Sequence, residues 1–557
     1  MSAHVRRATG VAVLSLATAL AQTAPLALHL GSAIPFGTYP APVVPRLNLW
    51  ALWWNSERLL HGYRGYWQAP IFHPDPFAFA YTEPQWLSGL VAGALWWTTA
   101  RPALAYDAVV LIAFTLNGCC GYFLLRRLRI GFWPALCGGL VIEMLPFVAD
   151  QIGVLQSTVL FPIPMTLACL VGFGRTGSAW SALGGVLWMA VCYHTSANTA
   201  LFFGPAALLA LLVFGGRRLL DARSALVLAV VGLVGALLVV PTAVVQERVL
   251  AKVQPDRPES MVRATSARPE AYLQMPATNL LRRRPPDRRA YALYPGTGLI
   301  LLALVGSWHG LRHRGLRRWT LYGLAVVVAF VLLSFGPLLA EASFGSPLGA
   351  LYAVLRAAYP GFRLARNLWR FGGLAQVFLA TLAGFGLAAC FGPEPHRPRR
   401  ALLGGALTVA LGLELFSAPI PLLDLGRKPT ELEWVRWLRD SPPGTTIIHL
   451  PMAAGVMPDD FERTTFWMYC QMYHGRRMAN GYSAYIPGNT VLLKHVMPGF
   501  PDAESIRTLR YFGINHVLVA ADWATPERAE QLERWKAIVV PELATSEMTI
   551  YAVGAGP

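Results

Sequence analysis

Charge is scarce in this chain: 14% of its 557 residues are Asp, Glu, Lys or Arg, where soluble proteins carry about a quarter. Mean hydropathy is +0.44, and the apolar stretches behind it are too long for a water-soluble fold to cover. Cysteine chemistry is also thin. The seven cysteines are scattered, most of them inside apolar runs, and there is no Cys-x-x-Cys pair. Only Cys470 falls in the C-terminal region, which excludes a disulfide within it and argues against a thiolate metal or redox centre. The C-terminal region shows no nucleophile elbow and no glycine-rich phosphate loop, and no pair in the chain has the tight spacing of a metal motif, so no metal is assigned and the cofactor is left open. No inverted repeat marks a carrier. The formal net charge of +17 does not read as a nucleic-acid surface, because most of the Arg sits in short clusters between apolar runs.

What is present is a series of hydrophobic segments. We read about eleven spans, at residues 10–30, 103–125, 132–148, 154–173, 179–195, 200–214, 225–245, 296–311, 319–339, 371–391 and 401–423. A further apolar stretch at 85–99 is short, follows Pro84 and reads as a re-entrant or interfacial helix. With Arg6 and Arg7 in the cytosol, every second connection is basic: Arg126, Arg127 and Arg129; Arg175; Arg217, Arg218 and Arg223; Arg312, Arg314, Arg317 and Arg318; Arg397, Arg399 and Arg400. Counting 85–99 as a full span would break this alternation from Arg126 onward. The expectation is a multi-pass protein of a bacterial inner membrane, with a membrane part over residues 1–423 and residues 424–557 outside the cytosol. The first segment also has features of a signal peptide, but its apolar run is longer than a usual signal core.

Three loops then face outward with the C-terminal region. Residues 31–84 are rich in aromatics (Trp50, Trp53, Trp54, Tyr63, Tyr66, Trp67), and 48–60 has apolar residues at helical spacing, which predicts a helix lying flat on the membrane. Residues 246–295 carry Arg257, Arg263, Arg268, Arg282, Arg283, Arg284, Arg288 and Arg289; residues 340–370 carry Arg356, Arg363, Arg366 and Arg370. The guanidinium fork suits phosphate, and Arg363, Arg366 and Arg370 would share one face of a helix at the membrane surface. The outward carboxylates are Asp75, between Pro74 and Pro76, Glu83 before Pro84, and Asp107 and Asp150 at span ends. Glu143 and Glu414 lie deeper, while His73 and His194 are candidate partners. Residues 424–557 change period: helices at 431–439, 503–512 and 526–535 alternate with strands at 445–450, 516–520 and 548–553, which predicts a small α/β domain. Within it, 474–487 is a polar turn suited to contact a ligand, or to serve as a structural turn.

Several stretches together resemble a known family. They are Asn48-Leu-Trp-Ala-Leu-Trp-Trp54 followed by Ile71-Phe-His-Pro74, then Gly361-Phe-Arg-Leu-Ala-Arg-Asn-Leu-Trp-Arg-Phe371 followed by Ala383-Gly-Phe-Gly-Leu387, and finally His474 with Asn480-Gly-Tyr-Ser483. In this order they resemble the bacterial YfhO-like and related C-type (GT-C) membrane glycosyltransferases. The resemblance implies transfer of a sugar from a polyprenyl-phosphate donor to a glycan, lipid or protein acceptor at the outer face. It implies an acid that takes the acceptor proton, here Asp75 or Glu83. Arg363, Arg366 and Arg370 would hold the donor phosphate, with His73, Asp107 and Asp150 lining the substrate. Relatives commonly carry an Asp shortly before the Asn-Leu-Trp stretch. This chain has none between Ala41 and Arg46, which leaves open a non-catalytic protein that binds lipid-linked glycans. A reporter fused after Pro557 is expected to be active only outside the cytosol, and labelling from the cytosolic side alone would reverse the assigned orientation.

Overall fold

A computed structural model describes residues 3–37, 41–253, 257–282, 291–341, 346–393, 397–426 and 428–554. Arg283, Arg284, Arg288 and Arg289 lie outside the described residues. The chain divides into two compact units: 1–39 with 107–244 and 255–422, and 40–106 with 245–254 and 423–557. The sequence division at residue 423 differs from this, because residues 40–106 fold with the C-terminal residues.

The first unit is helical, and the protein is a multi-pass membrane protein. Among the described residues seven helices are long and apolar enough to cross a bilayer: Pro102–Arg127, Phe132–Asp150, Leu155–Thr176, Ala197–Leu220, Ala222–Val253, Arg314–Ser334 and Arg370–Phe391. The other four expected spans are helices too. Ala179–Thr195 and Thr297–Arg312 have only 17 and 16 residues, while Ala3–Gln22 and Pro398–Leu415 start beside arginine pairs.

Small residues set the packing. A Cβ on Gly306 would land on the Leu382 carbonyl, and one on Gly386 would land on the Leu302 carbonyl. Helices Thr297–Arg312 and Arg370–Phe391 therefore touch backbone to backbone, which lets dispersion hold them where water expulsion is absent. Gly139 and Gly118 are in similar contact between Phe132–Glu143 and Pro102–Arg127. Glu414 accepts from the amides of Thr297 (2.6 Å) and Gly298 (2.8 Å), capping a neighbouring helix, so its role is structural. Glu143 is buried against Gly118 and Ser15. The His194 ring donates Nε2–H to the Leu238 carbonyl (2.9 Å).

Helix ends sort as alternating spans require. Arg175 donates to the Arg127 carbonyl, Arg218 donates to the carbonyls of Gly174 (2.9 Å) and Arg175 (3.0 Å), and Arg7 lies 5.5 Å over the Phe132 ring. The connections carrying Arg127, Arg175 and Arg218 thus meet one another. Ends expected on the opposite side also meet: Ala267 N–H donates to Ser334 O (2.8 Å) and Ile420 N–H to Ala24 O (2.8 Å).

In the second unit five strands form one sheet: β1 (Thr446–Leu450), β2 (Arg477–Met478), β3 (His516–Ala520), β4 (Val539–Ala544) and β5 (Met548–Val553). Their order is β2-β1-β3-β5-β4; β1 runs parallel to β2 and β3, and β5 antiparallel to β3 and β4. Strands expected at 445–450, 516–520 and 548–553 are present, as are helices Glu433–Asp440, Ala503–Tyr511 and Pro526–Arg534. Residues 70–72 continue the sheet past β2: Met478 N–H donates to Pro70 O (2.9 Å), and His73 and Phe72 amides donate to Met478 O (3.0 Å) and Asn480 O (3.2 Å).

Helix Val43–Leu60 is not a surface helix. Leu49, Trp50, Trp53 and Trp54 are buried, but so are Asn48, Asn55 and Ser56 on its other sides. A helix covered all round is interior, not amphipathic. Asn55 is satisfied inside: it donates to Ala51 O (2.9 Å) and Pro84 O (2.6 Å) and accepts from Tyr66 (2.9 Å). Helix Trp86–Thr99 packs beside it; at 14 residues it reaches about 21 Å, too short to span a bilayer. The Gln471 side chain joins three segments. Its Oε1 accepts from Trp50 Nε1 (2.9 Å), and its Nε2 donates to Pro70 O and to Arg476 O (3.0 Å). Gln471→Leu orphans these buried partners and is expected to destabilise this unit by about 3 kcal/mol. A thermal melt unchanged from wild type would refute that role.

Candidate functional site

The sequence-predicted residues fall into both units, and each set is described within its own. In the second unit, Asp75 is half-buried and holds a turn. Its Oδ1 accepts Phe77 N–H (2.8 Å) and its Oδ2 accepts Tyr81 O–H (2.7 Å). Both carboxylate oxygens are thus engaged by neighbours in sequence. Burial, together with the Asp75 carboxylate, pushes the Tyr81 phenol up. Glu83 is half-buried at the approach to helix Trp86–Thr99. His73 donates Nε2–H to the Phe512 carbonyl (2.8 Å), and burial lowers its pKa. It is a fastener between the 70–73 segment and the sheet domain.

In the polar turn at 474–487, Asn480 fastens the backbone. Asn480 Oδ1 accepts His449 N–H (2.7 Å) and its Nδ2 donates to His449 O (2.9 Å), clipping the turn to β1. His449 stacks on Trp467 (4.5 Å, 10°) and faces Trp434 edge-on, with His474 beside the same Trp434 ring. Burial holds His449 well below its ordinary value and His474 down at about 3.

The first unit builds a different constellation. Asp107 is fully buried near the start of Pro102–Arg127; its Oδ2 accepts Gly31 N–H (3.1 Å) and its Oδ1 has no hydrogen-bond partner among the described residues. The strap that follows Gly31 crosses Gly153 in backbone contact at Phe36 and Gly37. Gly37 has φ +73, and only glycine fits both that angle and that approach. Just before Gly153 come Asp150 and Gln151, with Gln151 Nε2 donating to Asp150 Oδ2 (3.0 Å). The strap thus links the Asp107 and Asp150 segments. The short helix Pro146–Asp150 then packs on the start of Arg370–Phe391. Phe147 meets Trp369 (5.8 Å) and Gly373, and its amide donates to Gln376 Oε1 (3.1 Å). Tyr291 stacks on the other face of this corner against Trp369 (4.2 Å, 9°).

Arg363, Arg366 and Arg370 do not share a helix face. Residues Phe362–Leu364 form one 3-10 turn, Ala365 is extended, Asn367 sits at φ +59 with its amide on Thr265 Oγ1 (3.1 Å), and the long helix starts at Arg370. The left-handed Asn367 breaks the period. Arg363 is exposed, whereas Arg366 and Arg370 are half-buried. Two adjacent donors stand out. Trp369 Nε1–H and Arg370 Nε–H are both buried and have no hydrogen-bond partner among the described residues. Sequence reasoning singled out Arg370 but not Trp369; a Trp–Arg pair opening a span was the available signal. No group of three or more His, Cys, Asp or Glu side chains suited to a metal occurs among the described residues.

Comparison with solved structures gives the architecture a place. The arabinofuranosyltransferase AftD from Mycobacteria matches over 99% of this chain at 17% identity, with a TM-score of 0.52. The chain has the C-type glycosyltransferase fold. It spans 42% of the AftD chain's length. ArnT from Cupriavidus metallidurans, in its apo state and bound to undecaprenyl phosphate, matches over 99% of both chains at 15% identity, with TM-scores of 0.41 and 0.40 that add nothing to the assignment. No family model and no curated protein matches the chain. The corner formed by Phe147, Trp369 and Arg370 lies at the start of helix Arg370–Phe391, with Asp150 at the end of the short helix packed against it.

The buried histidines give this protein a pH signature. A histidine whose folded pKa is depressed binds fewer protons folded than unfolded, so its stabilisation is complete above about 6.5 and is lost as pH falls toward the folded value. Melts of the full chain are expected to show the sheet-bearing unit losing stability as pH falls from about 6.5 toward about 3. His449→Leu should flatten that slope, and an unaltered slope in the variant would exclude His449 as a source.

Proposed function

We propose that this protein transfers a sugar from a polyprenyl-phosphate donor to an acceptor at the outer face of a bacterial inner membrane. The N-terminus is cytosolic in this reading, and the C-terminal residues are periplasmic or extracellular. Support for the orientation comes from the gathering of Arg127, Arg175 and Arg218 at one end of the helical unit. The observation that carries the activity is the pair of orphaned buried donors, Trp369 Nε1 and Arg370 Nε, at the opening of a long helix. Leaving such donors unmet costs free energy that a phosphate oxygen would recover, and a guanidinium offers it a charge-assisted bond. Arg366 and Arg363 extend the same basic approach.

The acid in this reading is Asp150, because its turn packs through Phe147 on the arginine-bearing helix start. Asp150 takes the proton from the acceptor hydroxyl. The hydroxyl oxygen forms the new bond to the anomeric carbon, and the anomeric C–O bond breaks with its electron pair leaving on the polyprenyl phosphate. Arg370 then meets the growing phosphate charge. Asp107, held by Gly31 N–H, positions the strap beside Asp150. Asp75 and Glu83, the acids first suggested by resemblance, remain candidates for the acceptor side. Both Asp75 oxygens already serve a turn, which favours a structural role for it. A second reading, a binder of lipid-linked glycans without transfer, is favoured by the absence of any acid between Ala41 and Arg46.

Transfer assays in native membranes separate these. Asp150→Asn is expected to lower turnover by about 10²–10⁴-fold with donor affinity kept, as loss of a positioned base does. Arg370→Ala should weaken donor binding and turnover together. Asp75→Asn should lower the melting temperature and leave turnover within a few-fold. Full turnover in Asp150→Asn alongside collapse in Asp75→Asn or Glu83→Gln would move the acid to the second unit, and no transfer by wild type with donor binding intact would favour the binder.

A further inference from the structure

We infer that the C-terminal sheet carries a groove for a neutral glycan, separate from the transfer corner. The groove is open to solvent, has a volume of about 580 Å³ and is lined by Trp437, Pro442, Gly444, Thr445, Asn515, His516 and Glu542. It opens where the parallel strands β1 and β3 begin, with Trp437 of helix Glu433–Asp440 as one wall.

The wall and rim are fixed in advance. The Trp437 ring meets His516 edge-on at 5.5 Å. Asn515 Oδ1 accepts Thr446 N–H (2.8 Å) and lies 2.8 Å from His516 Nδ1, while its Nδ2 donates to Gly444 O (3.1 Å). His516 Nε2 lies 3.1 Å from Glu542 Oε2. Glu542 is on the edge strand β4, at a bulge: Pro541 pairs with Tyr551 and Leu543 with Ile550, so Glu542 is the extra residue. A bulge re-aims a side chain. Ala552, opposite both His516 and Val540, is small enough to let the glutamate reach across β5 to the imidazole. Glu542 Oε1 has no partner among the described residues and lies on the 38%-exposed side chain.

The chemistry of this lining selects its ligand. A half-buried indole and a proline offer a flat apolar surface at little entropic cost, which suits the C–H face of a sugar ring. A carboxylate oxygen and an imidazole at the rim suit its hydroxyls. No arginine or lysine lines the groove, so nothing in it would select a phosphate or a uronate, and the carboxylate opposes both. The groove would hold one stretch of the acceptor glycan. That role rests on the transfer reading; the binding does not.

The test uses the full chain in nanodiscs and biolayer interferometry with three probes: a neutral hexopyranose oligomer, a neutral pentofuranose oligomer and a hexuronate oligomer of equal length. At least one neutral oligomer is expected to bind, and the uronate at least about ten-fold more weakly. Trp437→Ala should weaken the neutral ligand by at least about ten-fold, the scale of a lost aromatic platform, and Trp437→Phe should restore part of it. Glu542→Gln, which leaves the fold's apolar contacts alone, should weaken it about three-fold, the scale of one hydrogen bond. Arg370→Ala should bind like wild type, so a failed transfer assay leaves the groove standing. Absence of binding by either neutral oligomer, preference for the uronate, or binding unchanged in both Trp437→Ala and Glu542→Gln would overturn the proposal.

Discussion

The membrane unit depends on helices that approach until their backbones touch. In lipid there is no water to expel between two apolar faces, so association relies on close packing. Gly306 and Gly386 supply it between Thr297–Arg312 and Arg370–Phe391, and Gly118 and Gly139 supply it elsewhere in the unit. The helix Arg370–Phe391 is buried along nearly all its length as a result. Its first turn is therefore a fixed platform. Phe147, Gly373 and Gln376 then set where the turn before Asp150 can lie. The corner proposed to meet the donor is thus placed by contacts deep in the bundle.

The second unit is organised by polar satisfaction instead. Gln471 meets an indole N–H and two carbonyls, Asn480 closes a pair of bonds with His449, and the 70–73 segment covers the edge of the sheet. All but the Gln471–Arg476 bond join segments far apart in the chain. An exposed sheet edge invites unwanted pairing, and covering it removes that hazard.

Where the sequence was legible, periodicity carried the reading. Strands β1, β3 and β5 and three helices of the C-terminal domain lie close to where alternation and helical spacing put them. Strand β2 has two residues, too few to make a pattern, and Pro541 hid β4; that proline is tolerated because β4 is an edge strand. The apolar spacing over 48–60 predicts a surface helix, yet the helix is interior because Asn48 and Asn55 are buried with partners of their own. Gln85, which meets Asn48, and the Pro84 carbonyl, which meets Asn55, lie tens of residues away and cannot be seen locally. Of the candidate site, Arg366 and Arg370 were legible as phosphate ligands by residue type. Their single helical face was not real, because Asn367 adopts a left-handed backbone. Which carboxylate sits with the arginines depends on the Phe147–Trp369 contact, and no spacing encodes it.

The pairing of residues 40–106 with residues 423–557 also imposes an order on biogenesis. A ribosome adds roughly 5–20 residues per second, so the early segment waits on the order of tens of seconds for the sheet that covers Trp50 and Pro70. During that interval its indoles have no protein partner from the C-terminal domain. The unfinished half-domain must therefore stay soluble until the last strands arrive, which makes the nascent chain a natural client for a chaperone that shields aromatic surface.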